Sequence, residues 1–168
     1  MSVAPSFRYT TQADVNALVT LIECAYRSPE NAGSWTSEAH LHKGPRTSEA
    51  EISALVPDPN SRFLVAERGG RLAGCCLIQK VGATESTSAD VGSGGAYFGM
   101  FAIHPAIHST GLGKLILAEA ERRVRELWNS PALVMTVINV RTELIAWYER
   151  RGYRLTGVAM AFPFSVTT

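Results

Sequence analysis

Nothing in this 168-residue chain approaches the run of about 20 apolar residues that a membrane-spanning helix needs. The opening Met1-Ser2-Val3-Ala4-Pro5 lacks the charged-then-apolar order of a secretion signal, so a cytoplasmic protein is expected. Charge of one sign is also missing: Lys+Arg 16 stand against Asp+Glu 15, a net charge of +1. That balance gives no basic face or stripe, so no nucleic-acid partner is expected, and no membrane partner either. Cysteine is scarce. Cys24, Cys75 and Cys76 are odd in number and none has CxxC spacing, which excludes a disulfide framework. Adjacent residues of a strand point to opposite faces, so Cys75 and Cys76 read as reduced packing residues. His40 and His42 sit two apart with no third ligand in view, so no metal site is expected. With no repeat and no long linker, residues 1–168 read as one domain, and 46% hydrophobic residues suffice for one core.

What is present is an alternation of short strands and amphipathic helices. Phe7 to Thr10 alternates as a strand, and Gln12 to Arg27 places Val15, Leu18, Val19, Ile22 and Tyr26 on one helical face. Ser48 to Val56 reads as a helix ended by Pro57-Asp58-Pro59. Arg62 to Glu67 and Leu72 to Val81 read as strands joined through Gly69-Gly70. A polar loop over Gly82 to Gly95 precedes a strand from Ala96 to Ile103. A helix from Leu115 to Trp128 buries Ile116, Leu117, Ala120, Val124, Leu127 and Trp128, leaving Glu121, Arg122 and Arg125 to water. Leu133 to Ile138 is apolar nearly throughout, which predicts a strand covered on both faces. Thr142 to Arg151 reads as a helix closed by a left-handed Gly152, and Tyr153 to Gly157 begins a last strand. The order predicts an α/β fold around one mixed sheet.

The most telling segment is His104-Pro105-Ala106-Ile107-His108-Ser109-Thr110-Gly111-Leu112-Gly113-Lys114, between the strand ending at Ile103 and the helix that follows. A strand, a tight glycine turn and a helix start together form a diphosphate site. N–H groups at a helix N-terminus carry partial positive charge, and glycine removes side chains that would hold phosphate oxygens away. A Rossmann reading fails because position 116, where a third glycine belongs, is Ile. A phosphate-loop NTPase fails because Lys114 is followed by Leu115 and not by Ser or Thr.

The segment His108-Ser109-Thr110-Gly111-Leu112-Gly113 resembles the Arg/Gln-x-x-Gly-x-Gly/Ala block of the GNAT acetyltransferase superfamily, with His108 in the Arg/Gln slot. Ile103-His104-Pro105 fits that family's habitual Val-x-Pro. Arg141 to Tyr153 is similar to its Asn-x-x-Ala-x-x-x-Tyr-x-x-x-Gly-Phe pattern, with Arg141 in the Asn slot. The two blocks span residues 96–157. The resemblance implies a twisted mixed sheet with helices on both faces and a cleft where the fourth and fifth strands splay apart.

It implies acetyl-CoA as cofactor and acetyl transfer to a primary amine of a small molecule or peptide. Backbone groups of Phe101, Ala102 and Ile103 would pair with the pantetheine arm. His108, Ser109, Thr110, Gly111, Leu112, Gly113 and Lys114 would hold the pyrophosphate, and Arg141 would stand where the second block meets the cofactor. Tyr148 is the implied general acid at the thioester sulphur. Trp35 is a candidate for lining the acceptor pocket. No carboxylate lies between Ala96 and Ile103, which leaves a water chain, Glu85 or Asp90 if the preceding loop folds over the site, or His104 to take the amine proton. Arg122, Arg123 and Arg125 read as a solvated helix face, with the 3′-phosphate as their nearest functional neighbour. The competing expectation is a non-catalytic CoA-binding sensor or interaction module on the same fold.

The chain after Gly157 predicts a short or absent seventh strand. Pro163 offers no N–H to a ladder, and only Phe164 to Thr168 follow it. A partner subunit, as in a homodimer, a rearranged tail or a further stretch of chain would then cover the apolar strand Leu133 to Ile138.

Overall fold

The computed structural model describes residues 4–27, 47–80, 95–107 and 111–155. Strand β1 (Ser6–Tyr9) leads through a short 3-10 turn at Gln12–Asp14 into helix α1 (Val15–Arg27). Helix α2 (Glu49–Leu55) follows, opened by Ser48, whose side chain accepts from the Glu51 N–H as an N-cap should. Strands β2 (Ser61–Arg68) and β3 (Arg71–Lys80) form the expected hairpin, with Gly69 and Gly70 both in the left-handed region at φ 58° and 77°. Then come β4 (Ala96–Ile103), α3 (Leu112–Trp128), β5 (Leu133–Val134) and α4 (Thr142–Glu149).

Among the described residues the strands form one sheet in the order β1-β2-β3-β4-β5. Its first four strands are antiparallel neighbours, while β5 runs parallel to β4. Side-chain alternation gives the sheet two apolar faces. On one, Phe63, Val65, Cys75, Leu77, Met100 and Ala102 pack against α1 and α2. On the other, Leu64, Cys76, Phe98, Phe101 and Ile103 pack against α3 and Tyr148 of α4. Helices therefore cover both faces, as expected. Cys75 and Cys76 divide between the faces and are both free thiols. Leu18 and Ile22 hold α1 in place with no exposed surface, so truncating either to Ala would cost about 2–5 kcal/mol.

Three boundaries differ from the sequence expectation. Helix α3 starts at Leu112, three residues before Leu115, because Leu112 and Gly113 are buried and belong to its packed first turn. The strand foreseen over Leu133 to Ile138 pairs only at Leu133 and Val134, and those residues are half-buried. Beyond them β5 has left β4, so an apolar run did not translate into a ladder. No strand begins at Tyr153: its N–H is committed to closing α4 by donating to the Tyr148 carbonyl at 3.2 Å. The expectation for the seventh strand lies outside the described residues.

Candidate active site

Strand β4 builds the site through a defect. Cys75 pairs with Ala102 and Leu77 with Gly99, so Cys76 alone stands opposite Met100 and Phe101. The extra residue is a β-bulge, with Met100 at φ 44°, a left-handed backbone that costs a non-glycine residue about 1–3 kcal/mol. The bulge switches which residues face the far edge of the strand. Below it, Ala96 accepts its place beside β5, its N–H donating to the Ala132 carbonyl at 3.0 Å. Above it, the His104 N–H donates to Ala73 of β3 at 2.8 Å, so Ala102 also turns to β3 while Phe101 and Ile103 turn to the opposite edge. Among the described residues β5 pairs with Ala96 and Tyr97, so the β4–β5 ladder stops short of Phe101 and Ile103.

Two tyrosines from opposite layers meet this edge. The Tyr26 hydroxyl, at the end of α1, donates to the Phe101 carbonyl. Tyr148 comes from α4 on the other face and is only 7% exposed. Its ring lies edge-on to Trp147 and Tyr153, with centroids 5.2 and 5.8 Å away, and Trp147 in turn lies 5.9 Å from Phe101. Burial pushes the Tyr148 hydroxyl pKa up, with Tyr26, Cys76 and Tyr153 adding to the shift and the Arg141 cation opposing it. Tyr148 thus keeps its proton at any ordinary pH. Arg141 is the N-cap residue of α4, its carbonyl accepting from the Ile145 N–H at 3.1 Å.

Past the end of β4, Gly111 opens α3 in the left-handed region at φ 78°, and open space surrounds the position a Cβ would take. Only glycine, or asparagine at some cost, sits easily there. The first turn of α3 carries no acidic residue, so its N–H groups at Leu112, Gly113 and Lys114 present the positive end of the helix with no carboxylate in that turn. These features fit a phosphate-bearing ligand at the start of α3, just past the end of β4.

The acetyltransferase (GNAT) family model matches residues 21–153. The chain belongs to the GNAT acetyltransferase family. No curated protein matches its sequence. Its fold is similar to that of a transcriptional regulator from Bacillus halodurans C-125, with a TM-score of 0.71 at 16% identity over 95% of this chain and 99% of that one. It is similar to an aminoglycoside acetyltransferase from an uncultured soil metagenomic sample, with a TM-score of 0.67 at 12% identity over 97% of both chains. A predicted acetyltransferase from Clostridium acetobutylicum, solved with acetyl-CoA, gives 0.65 at 11% identity over 94% of this chain and 95% of that one.

Within this GNAT fold, Phe101, Ile103 and Tyr148 belong to one buried cluster, with Gly111 to Lys114 at the start of the following helix. Trp35, His108, Ser109, Thr110, Glu85 and Asp90 lie outside the described residues, as do His40 and His42. His104 is a turn residue: its Nδ1 accepts from the Ala106 N–H at 3.1 Å. Arg122 and Arg123 are tied up on α3. Arg122 pairs with Glu119 and Glu126, and Arg123 pairs with Glu119 and lies over the Tyr9 ring. Among the described residues no cluster could hold a metal ion, and no helix is long and apolar enough to cross a membrane.

Sequence reasoning missed Tyr26 and Met100. The sequence pattern places Tyr26 on the buried stripe of its helix, and nothing local reveals a hydrogen bond across 75 residues. Met100 had a signal: Gly99 is an isolated glycine inside a strand, a common mark of a bulge.

Proposed function

We propose that the protein transfers an acetyl group from acetyl-CoA to a primary amine of a small molecule or peptide. The observation that carries this reading is the β4 bulge at Met100, which turns Phe101 and Ile103 toward the side where β4 and β5 diverge, with the N-terminus of α3 following β4. In this reading Phe101 and Ile103 offer backbone groups to the pantetheine arm, and Ala102 anchors the strand to β3. The N–H groups of Gly111, Leu112, Gly113 and Lys114 receive the pyrophosphate, together with His108, Ser109 and Thr110. Arg141 places a cation at the start of α4. Acetyl-CoA bound there supplies an activated acyl thioester. The fold neighbour from Clostridium acetobutylicum solved with acetyl-CoA, and the one described as an aminoglycoside acetyltransferase, support the choice of cofactor and of an amine acceptor.

Tyr148 is the catalytic residue in this reading, and its energetics define its role. A tyrosine titrates near 10 and a thiol near 8.5, so complete proton transfer to a leaving thiolate is uphill by about 2 kcal/mol before any environmental shift. Burial raises Tyr148 further. Its hydroxyl therefore acts by donating a hydrogen bond to the leaving sulphur, while keeping the proton on Oη through most of the step. The acceptor amine must be neutral at the moment it attacks. At pH 7 an amine of pKa about 10.4 loses its proton at a cost of about 4–5 kcal/mol, so activity should rise with pH through this range.

The experiment is thiol release from acetyl-CoA across a panel of primary amines, with the acetylated amine identified by mass. Amine-dependent thiol release supports the proposal. Tight CoA binding without turnover on any amine contradicts it and favours a CoA-binding sensor.

A further inference from the structure

On the face of the sheet covered by α1 and α2, a cavity of about 430 Å³ lies between α2 and strands β3 and β4. That volume is in the range of small-molecule sites. Leu55, Leu77 and Met100 give it an apolar wall, while Glu51, Gln79 and Tyr97 supply its polar groups. Met100 is the bulge residue next to Phe101, so the cavity adjoins the β4 edge from the side opposite Tyr148.

Its polar groups are set in place by neighbours. Thr47 is buried, its N–H donating to Glu23 Oε1 at 2.8 Å and its hydroxyl to Glu51 Oε2 at 2.9 Å, which aims one carboxylate and brings a second nearby. Gln79 Nε2 donates to Ser61 Oγ at 3.0 Å. The Tyr97 ring lies over Gly99, where a Cβ would come within 2.6 Å of it. Glu51 is the charged group among the described residues lining the cavity, and neither Lys nor Arg joins it there.

We propose that this cavity is the acceptor subsite and that it selects a small amphipathic amine: a primary ammonium on an apolar body, with no anionic group. The carboxylate of Glu51 attracts the cation, the Tyr97 ring offers a face to it, and Leu55, Leu77 and Met100 cover the body. A phosphate or carboxylate on the ligand would meet the Glu51 carboxylate, with Glu23 close behind. The acceptor role rests on the acetyltransfer reading; the binding selectivity does not.

The test measures binding to the CoA-free protein by calorimetry, using 2-phenylethylamine, hexylamine, 2-phenylethanol and phenylacetate as probes. The amines should bind more tightly than the alcohol, and the acid should not bind. Glu51→Gln should weaken the amines by about fivefold, the scale of an exposed ion pair, and leave the alcohol unchanged. Gly99→Ala, which drives the Tyr97 ring from its place, should weaken every probe that binds. Phenylacetate binding as tightly as the amines, no binding of either amine, or amine binding indifferent to Glu51→Gln overturns the proposal. A parallel acetylation assay separates the two readings. Charge-selective binding with no acetylated product upholds the cavity and overturns acetyltransfer; acetylated product with unselective binding upholds acetyltransfer and overturns the cavity.

Discussion

Tyr153 closes the helix that carries Tyr148 and packs edge-on against its ring, with the centroids 5.8 Å apart. The two are joined by a Schellman cap: Gly152, at φ 93°, donates its N–H to Glu149, and Tyr153 donates to the Tyr148 carbonyl. The Tyr153 hydroxyl also donates to Glu121 at 2.7 Å, which ties the end of α4 to α3. One local motif therefore positions the phenol on which the proposed chemistry depends. Gly152→Ala should cost about 1 kcal/mol, because its left-handed backbone opposes a Cβ, and lower Tm by about 2–4 °C. Gly152→Asn should lose less. Thermal unfolding of the two variants checks this; an alanine variant as stable as the asparagine one would contradict it.

Tyr26 braces the β4 edge from the other layer. Tyr26→Phe removes the hydrogen bond to the Phe101 carbonyl and should cost about 1 kcal/mol of stability. It should also reduce the rise in Tm on adding CoA, since the edge that receives the ligand loses its support. An unchanged CoA-dependent rise would confine Tyr26 to packing.

At the start of α3, charge and backbone can be separated. Gly111→Asn tolerates φ 78° better than most residues and adds no charge, whereas Gly111→Asp is nearly isosteric and negative. The aspartate should abolish CoA-induced stabilisation, because it sets a carboxylate where the pyrophosphate would lie, and the asparagine should retain part of it. Equal CoA responses in the two would move the phosphate elsewhere.

Far from the cleft, Arg8 clamps β1 by donating to Asp14 at 2.9 Å and to Glu67 at 2.8 Å. Hydrogen bonds from Arg8 hold the Asp14 carboxyl at about 2, below its ordinary 3.8. A depressed carboxyl stabilises the fold above its unfolded pKa and loses that contribution as pH falls through the folded one. Asp14→Asn should therefore cost about 1 kcal/mol at neutral pH, given the partly exposed Arg8, and the gap from wild type should close between about pH 4 and pH 2. Denaturant melts across that range would detect a gap that stays constant, which would count against the clamp.

Much of this architecture is legible in the chain because its signals are local. Gly69-Gly70, Gly111 and Gly152 mark left-handed backbones, and the alternation around Cys75 and Cys76 divides two faces correctly. The strand Ala96–Ile103 is recovered at both ends. What stayed hidden depends on neighbours distant in sequence. Leu133 to Ile138 carries the hydrophobicity of a strand, but its pairing with β4 ends at Val134, opposite Tyr97 and short of the β4 bulge. The bond from Tyr26 to Phe101 joins residues that no pattern in either segment connects. Glu51 and Thr47 look like ordinary residues of a helix start until Thr47 is seen to bridge two carboxylates.

Tyr148 decides the account. The measurement is kcat of Tyr148→Phe relative to wild type, once with acetyl-CoA and once with an acetyl thioester of a more acidic thiol, with CoA binding followed separately. The account predicts a loss of roughly ten- to ten-thousand-fold with acetyl-CoA, a distinctly smaller loss with the better leaving group, and nearly unchanged CoA affinity. Equal losses on both thioesters, or wild-type turnover in the variant, would contradict a role for the Tyr148 hydroxyl at the leaving sulphur.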